Sequence, residues 1–131
     1  MRGMWWWRAL MVLVLALSPA CGQATRQLEP IVVGWERIFK VEWQSSEVRG
    51  RRVVWGYVNN DSPYDVTRVQ LLVDALDDTG KVLGQRIGWV PGAMGGFSRR
   101  YFELPVPQPA PQYRVRVFAF DRIESPGMRD N

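Results

Sequence analysis

The sequence predicts an all-β protein, a small antiparallel sandwich of six to seven strands. Three observations predict it. Apolar residues recur with a period of two along residues 31–123, turn-forming clusters interrupt them about every ten residues, and no segment sustains a helical period.

The elements follow in order. From Ile31 to Trp43 the odd positions are Ile31, Val33, Trp35, Arg37, Phe39, Val41 and Trp43, apolar but for Arg37, and the even ones include Gly34, Glu36, Lys40 and Glu42. That alternation predicts a strand with one buried face. Arg52–Asn59 carries Val53, Val54, Trp55, Tyr57 and Val58 on both faces, which suits a central strand. Asn60-Asp61-Ser62-Pro63 has turn chemistry, because Asn and Asp tolerate left-handed backbone and Pro fixes φ. Thr67–Leu76 alternates again, with Val69, Leu71, Val73 and Ala75 expected inward and Arg68, Gln70 and Asp74 outward. Asp77-Asp78-Thr79-Gly80 closes a hairpin into 81–90, where Leu83, Ile87 and Trp89 share a face. A Gly-rich bend at 91–96 leads to a strand over Phe97–Leu104. Pro105, Pro107, Pro109 and Pro111 exclude a central strand and predict a stiff, extended crossing. The last strand, Gln112–Ile123, sets Tyr113, Val115, Val117 and Ala119 against Arg114 and Arg116; Phe118 and Phe120 fall on the arginine side. Residues 125–131 read as a frayed tail. The tryptophans Trp35, Trp43, Trp55 and Trp89 are expected in the core, where they offer large apolar area without a disulfide.

The first twenty residues read as a signal-peptide helix. Arg2 and Arg8 flank no acid, residues 9–17 are wholly apolar, and Ser18-Pro19-Ala20 precede Cys21. The apolar run is too short for a permanent span, which needs about 20 residues. Cys21 after Leu17-Ser18-Pro19-Ala20 resembles a bacterial lipobox, a resemblance that implies diacylation of the thiol and a mature chain starting at Cys21. Ser18 and Ala20 equally satisfy ordinary cleavage after Ala20, which would leave an unmodified thiol. With acylation the partner is a membrane, held through the N-terminal lipid. Gly22, rather than an aspartate, follows the cysteine, which favours the outer membrane and a periplasm-facing domain. Residues 22–30 read as a flexible tether, roughly 30 Å at full stretch. The organisation expected is therefore signal peptide 1–20, lipidated Cys21 and tether 21–30, sandwich 31–124 and tail 125–131.

Composition narrows the chemistry. The chain of 131 residues has no histidine and one cysteine, which removes Ser-His-Asp and Cys-His pairs, imidazole metal ligands, an internal disulfide and a thiolate cage. The net charge of +4 falls to +2 once Arg2 and Arg8 leave with the signal. That is no nucleic-acid footprint. Asp77 and Asp78 lie a strand's length from Asn59, Asn60 and Asp61, so the two groups cannot share a cation. The acids are scattered, no carboxylate pair faces a cleft, and a non-enzymatic protein without cofactor or metal is expected.

Gly56-Tyr57-Val58-Asn59-Asn60, then Val66, Val69, Leu71 and Val73, then Leu76-Asp77-Asp78-Thr79-Gly80-Lys81-Val82 resemble the G-x-V-x-N…V-x-L-x-V…D-x-x-G-x-V pattern of FxLYD-type immunoglobulin-like domains of bacterial exported proteins. Pro91-Gly92…Phe102 and Tyr113-Arg114-Val115 are similar to that family's final strands. The resemblance covers about residues 36–123; of the F-x-L-Y-D element itself only Asp77 is kept. It implies an immunoglobulin-like sandwich, exported and often membrane-anchored, without general catalytic residues.

Arg114 and Arg116 on the last strand, with Arg99 and Arg100 on the one before, are the candidate binding residues. An arginine-rich face suits anionic headgroups, lipopolysaccharide or acidic glycans, and a solvated face that prevents edge aggregation explains the same residues. The function expected is a monomeric, lipid-anchored envelope sandwich with a binding or structural accessory role toward an envelope protein or an anionic glycan or lipid. The alternative is a freely secreted or periplasmic ligand-binding domain with unmodified Cys21.

Overall fold

In the computed structural model, which describes residues 26–124, the alternating segments become six strands. These are β1 (Phe39–Val48), β2 (Arg51–Asn60), β3 (Val66–Leu76), β4 (Val82–Trp89), β5 (Arg99–Pro105) and β6 (Gln112–Arg122). The expected signal-peptide helix, Cys21 and the tail lie outside the described residues. Every pairing is antiparallel, in two three-stranded sheets ordered β1-β2-β5 and β4-β3-β6. First, second and fifth strands share one sheet and third and sixth the other, which is immunoglobulin-like order.

Between the sheets lie Phe39, Val54, Val58 and Phe102 from one side and Val69, Leu71, Val73, Ala75, Val115 and Val117 from the other, sealed by Met94. Most are valine, whose branched side chain has restricted χ1 freedom and packs well on a pleated surface. β2 is central, as its two apolar faces predict. The β1–β2 hairpin turns through Arg49 (φ 51°) and Gly50 (φ 74°), the two left-handed residues of a type I′ turn. The expected β3–β4 hairpin forms at Asp77–Lys81, with Gly80 at φ 85°.

The proline-rich link carries the chain from β5 to β6. Tyr113 pins it: its hydroxyl donates to the Gln108 carbonyl (3.0 Å) and accepts from the Ala110 amide (2.9 Å). A tyrosine at the start of the sixth strand bonding back to the preceding corner is the tyrosine corner of immunoglobulin-like sandwiches.

Several expectations are corrected. The strand expected from Ile31 begins at Phe39. Gly34 takes a left-handed φ of 81°, a 3-10 turn follows at Trp35–Arg37, and Ile31 and Val33 are exposed. Asp74 points outward from the sandwich as expected, yet it has no exposed surface at all. Trp43 and Trp89 are exposed and Trp55 is half-buried on an outer face, leaving Trp35 as the indole packed on the core. Phe120, expected beside the arginines, packs edge-on against Phe39 at 4.8 Å. A register shift pairs Gln70 with Ala119 but Leu71 with Val117, and that extra residue in β6 reverses which side chains face inward.

Candidate functional site

The two outer faces of the sandwich differ in kind. On the β4-β3-β6 sheet, the outward positions Leu72 and Asp74 pair with Ile87 and Gln85 on one side and Arg116 and Arg114 on the other. Asp74 Oδ2 accepts from Arg114 Nε (2.8 Å) and from Arg116 Nη2 (2.8 Å) and lies 2.7 Å from Arg114 Nη2 in an ion pair, while Oδ1 accepts from Gln85 Nε2 (2.8 Å). A fully buried carboxylate is tolerated only when paired and hydrogen-bonded in this way.

The chain N-terminal to the sandwich covers the middle of this face and leaves Leu83 and Trp89 of β4 exposed. Gln85 grips the backbone of Leu28 at both ends, accepting from its amide (2.7 Å) and donating to its carbonyl (3.0 Å). Glu29 pairs with Arg116 Nη1 at 2.8 Å, and the Ile31 amide donates to the Phe118 carbonyl at 2.8 Å. Residues 28–31 thus form a strap from β4 across to β6. The last part of the expected tether is docked, because Gln85, Arg116 and the Phe118 carbonyl supply its backbone and charge with partners.

The four candidate arginines do not form one surface. Arg114 and Arg116 are engaged by Asp74, and Arg116 by Glu29 as well. Arg99 and Arg100 lie on the other sheet. The Arg99 guanidinium stacks 4.2 Å above the Tyr57 ring, and Arg100 donates to the Ala93 carbonyl.

The outer face of the β1-β2-β5 sheet carries no such strap. Register sets its side chains in cross-strand rows: Lys40–Asn59–Arg99, then Glu42–Tyr57–Tyr101, then Gln44–Trp55–Glu103. Tyr101 sits 5.8 Å from Tyr57 and 6.4 Å from Trp55, ring to ring, with the planes inclined by 69° and 39°. Trp55 and Tyr57 line a shallow depression with Glu42, Gln44 and Arg99. Trp43, one position out of phase, turns toward the other sheet and donates its indole N–H to the Tyr113 carbonyl at 3.0 Å. Gly56 lets β1 cross tightly here, since a Cβ on it would fall 1.9 Å from the Glu42 carbonyl oxygen.

The sequence signal for this aromatic group was present in the spacing. Trp55 and Tyr57 alternate with Val54, Gly56 and Val58, so one of the two sets had to point outward. Elsewhere, Asp77 Oδ1 accepts from the Thr79 hydroxyl and amide and the Lys81 amide, which organises the β3–β4 turn. These bonds, the Thr79 hydroxyl first, hold its carboxyl below the ordinary aspartate range. Among the described residues no cluster of acidic, histidine or cysteine side chains is arranged to hold a metal ion. No protein-family model, curated protein or solved structure matches the chain.

Proposed function

We propose that the protein is an exported, lipid-anchored immunoglobulin-like module of the bacterial envelope that works by non-catalytic binding, with the aromatic face of the β1-β2-β5 sheet as its contact surface. The observation that carries this reading is the inequality of the two outer faces. The middle of one is covered by the strap and its ion cluster, with Leu83 and Trp89 exposed on β4, and the other carries the half-buried Trp55 and Tyr57 beside the exposed Tyr101 in one cross-strand group. A group of aromatic rings left on a sheet face is the kind of surface that recognition uses.

The strap gives the anchor a geometry. Six residues lie between Cys21 and Leu28, and the seven steps from one to the other reach about 25 Å at most. A chain arriving from an acylated Cys21 meets the sandwich on its strapped face, which leaves the aromatic face directed away from the bilayer. Confinement at the surface raises the effective concentration of the module for a partner there. Gly22 supports an outer-membrane, periplasm-facing location. Membership of the FxLYD-type domains is part of the same proposal and rests on the sequence resemblance of residues 36–123.

Intact-mass analysis of the processed protein and its partition into a detergent phase test the anchor. Acyl mass on Cys21 and loss of both signals in Cys21→Ser are expected. A water-soluble chain with an unmodified N-terminal cysteine would overturn anchoring and leave a freely secreted or periplasmic binding domain.

A further inference from the structure

We infer that the ligand of the aromatic face is a neutral glycan chain, an inference that rests on reading this face as the binding surface. Three features of the face select that chemistry.

Its charge is balanced. The rows bring together Lys40 and Arg99 with Glu42 and Glu103, and Lys40 and Glu42 pair with each other at 3.6 Å. A nucleic acid, an acidic polysaccharide or an anionic bilayer needs uncompensated cations on one face. Lys40 is paired with Glu42, Arg99 is stacked on Tyr57, and the two cations are matched in number by two acids, so a polyanion gains little on approach.

Its apolar surface is aromatic. The half-buried Trp55 and the exposed Tyr101 offer aromatic surface, and Arg99 already covers one side of Tyr57. The negative face of an aromatic ring attracts polarised C–H bonds, and the apolar side of a pyranose presents a set of them. Around the rings stand Gln44, Asn59, Glu42 and Glu103, donors and acceptors suited to sugar hydroxyls. A site that combines ring faces with a few polar groups fixes both stacking and orientation.

Its rings are not coplanar. Planes inclined by 39° and 69° do not form one flat shelf. A flat crystalline polysaccharide surface cannot stack face-on against Trp55 and Tyr101 together, whereas a single soluble chain with rotated successive units can.

The test is titration of the full processed chain in detergent, followed by tryptophan fluorescence and calorimetry. The probes are chitohexaose, cellohexaose and laminarihexaose, with heparin and a proline-rich decapeptide as the competing chemistries. Saturable binding of at least one hexasaccharide is expected, weakened at least tenfold in Trp55→Ala and in Tyr101→Ala with far-UV spectra unchanged. Binding of none of the three, or equal binding by both variants, overturns the inference, as does a Trp55-dependent response to heparin or the decapeptide in place of the sugars. A photo-crosslinking residue at Tyr101 in intact cells separates this failure from failure of the binding face. Crosslinks to an envelope component without hexasaccharide binding retain the face and discard the glycan; no crosslink and no binding discard both.

Discussion

Asp74 Oδ2 accepts a hydrogen bond from Arg116 Nη2 at 2.8 Å, with the Asp74 side chain wholly excluded from solvent. The pair lies on an outer sheet face, where a solvated ion pair contributes about 0–1 kcal/mol. Burial beneath the strap changes the magnitude, since removing one partner strands the other's charge away from water.

Asp74→Asn should therefore lower stability by about 3 kcal/mol, the cost of breaking a buried pair. The shift of the urea midpoint reads it. Arg116→Gln should cost more than Arg114→Gln, because the Arg116 side chain is 16% exposed and that of Arg114 39%.

The strap should behave as part of the fold. Its bonds predict slowed hydrogen exchange at the Leu28 and Ile31 amides, each of which donates to the sandwich. Gln85→Ala should remove the protection at Leu28 and destabilise by about 2 kcal/mol, since it breaks the bonds to Leu28 and leaves Asp74 short of one donor. Glu29→Gln, which alters an exposed partner, should cost under about 1 kcal/mol.

Gly56 and Gly84 should respond oppositely to a methyl group. Gly56→Ala places its Cβ against Glu42 backbone, which cannot retreat without moving β1, and should destabilise by about 3 kcal/mol. Gly84→Ala meets the end of the Gln108 side chain, which can rotate away, so its thermal midpoint should stay close to that of the parent.

The β3–β4 turn should carry a small acid-sensitive contribution. The folded Asp77 carboxyl lies below its ordinary value of 3.8, so its stabilisation is present above that pH and is lost as pH falls through the folded value. Asp77→Asn keeps an acceptor oxygen without the charge. The parent's advantage over this variant, measured in urea at pH 7, should shrink below about pH 3.8.

Much of the fold was legible because alternation and turn chemistry act locally. Val69, Leu71, Val73 and Ala75 all reach the core, and Asn60-Asp61-Ser62-Pro63 and Asp77–Gly80 turn where expected. The buried Asn60 goes further than a turn signal: its amide donates to the Tyr64 and Gly95 carbonyls and its oxygen accepts from Ser62. Only the fold brings Gly95 there. The strand assigned to Ile31 failed because apolar alternation also arises in a segment laid over a surface, and Gly34 ends its extended run.

The candidate surface was less legible. Arginine spacing on the last strand pointed to Arg114 and Arg116, yet spacing says nothing of what lies opposite, and Asp74 on β3 engages both. Trp55 and Tyr57 resembled core for a similar reason.

By itself the sequence determined that the domain is strands, that they turn where Asn, Asp, Gly and Pro fall, and that each strand has two unlike faces. The tertiary structure decided which face meets the other sheet, how a bulge sends Phe120 inward, and that a strap buries Asp74 while Trp55 and Tyr101 remain on the surface. The physical reason is that side-chain alternation is set by the backbone of one strand. Burial is set by whatever packs across it, and those partners are distant in sequence.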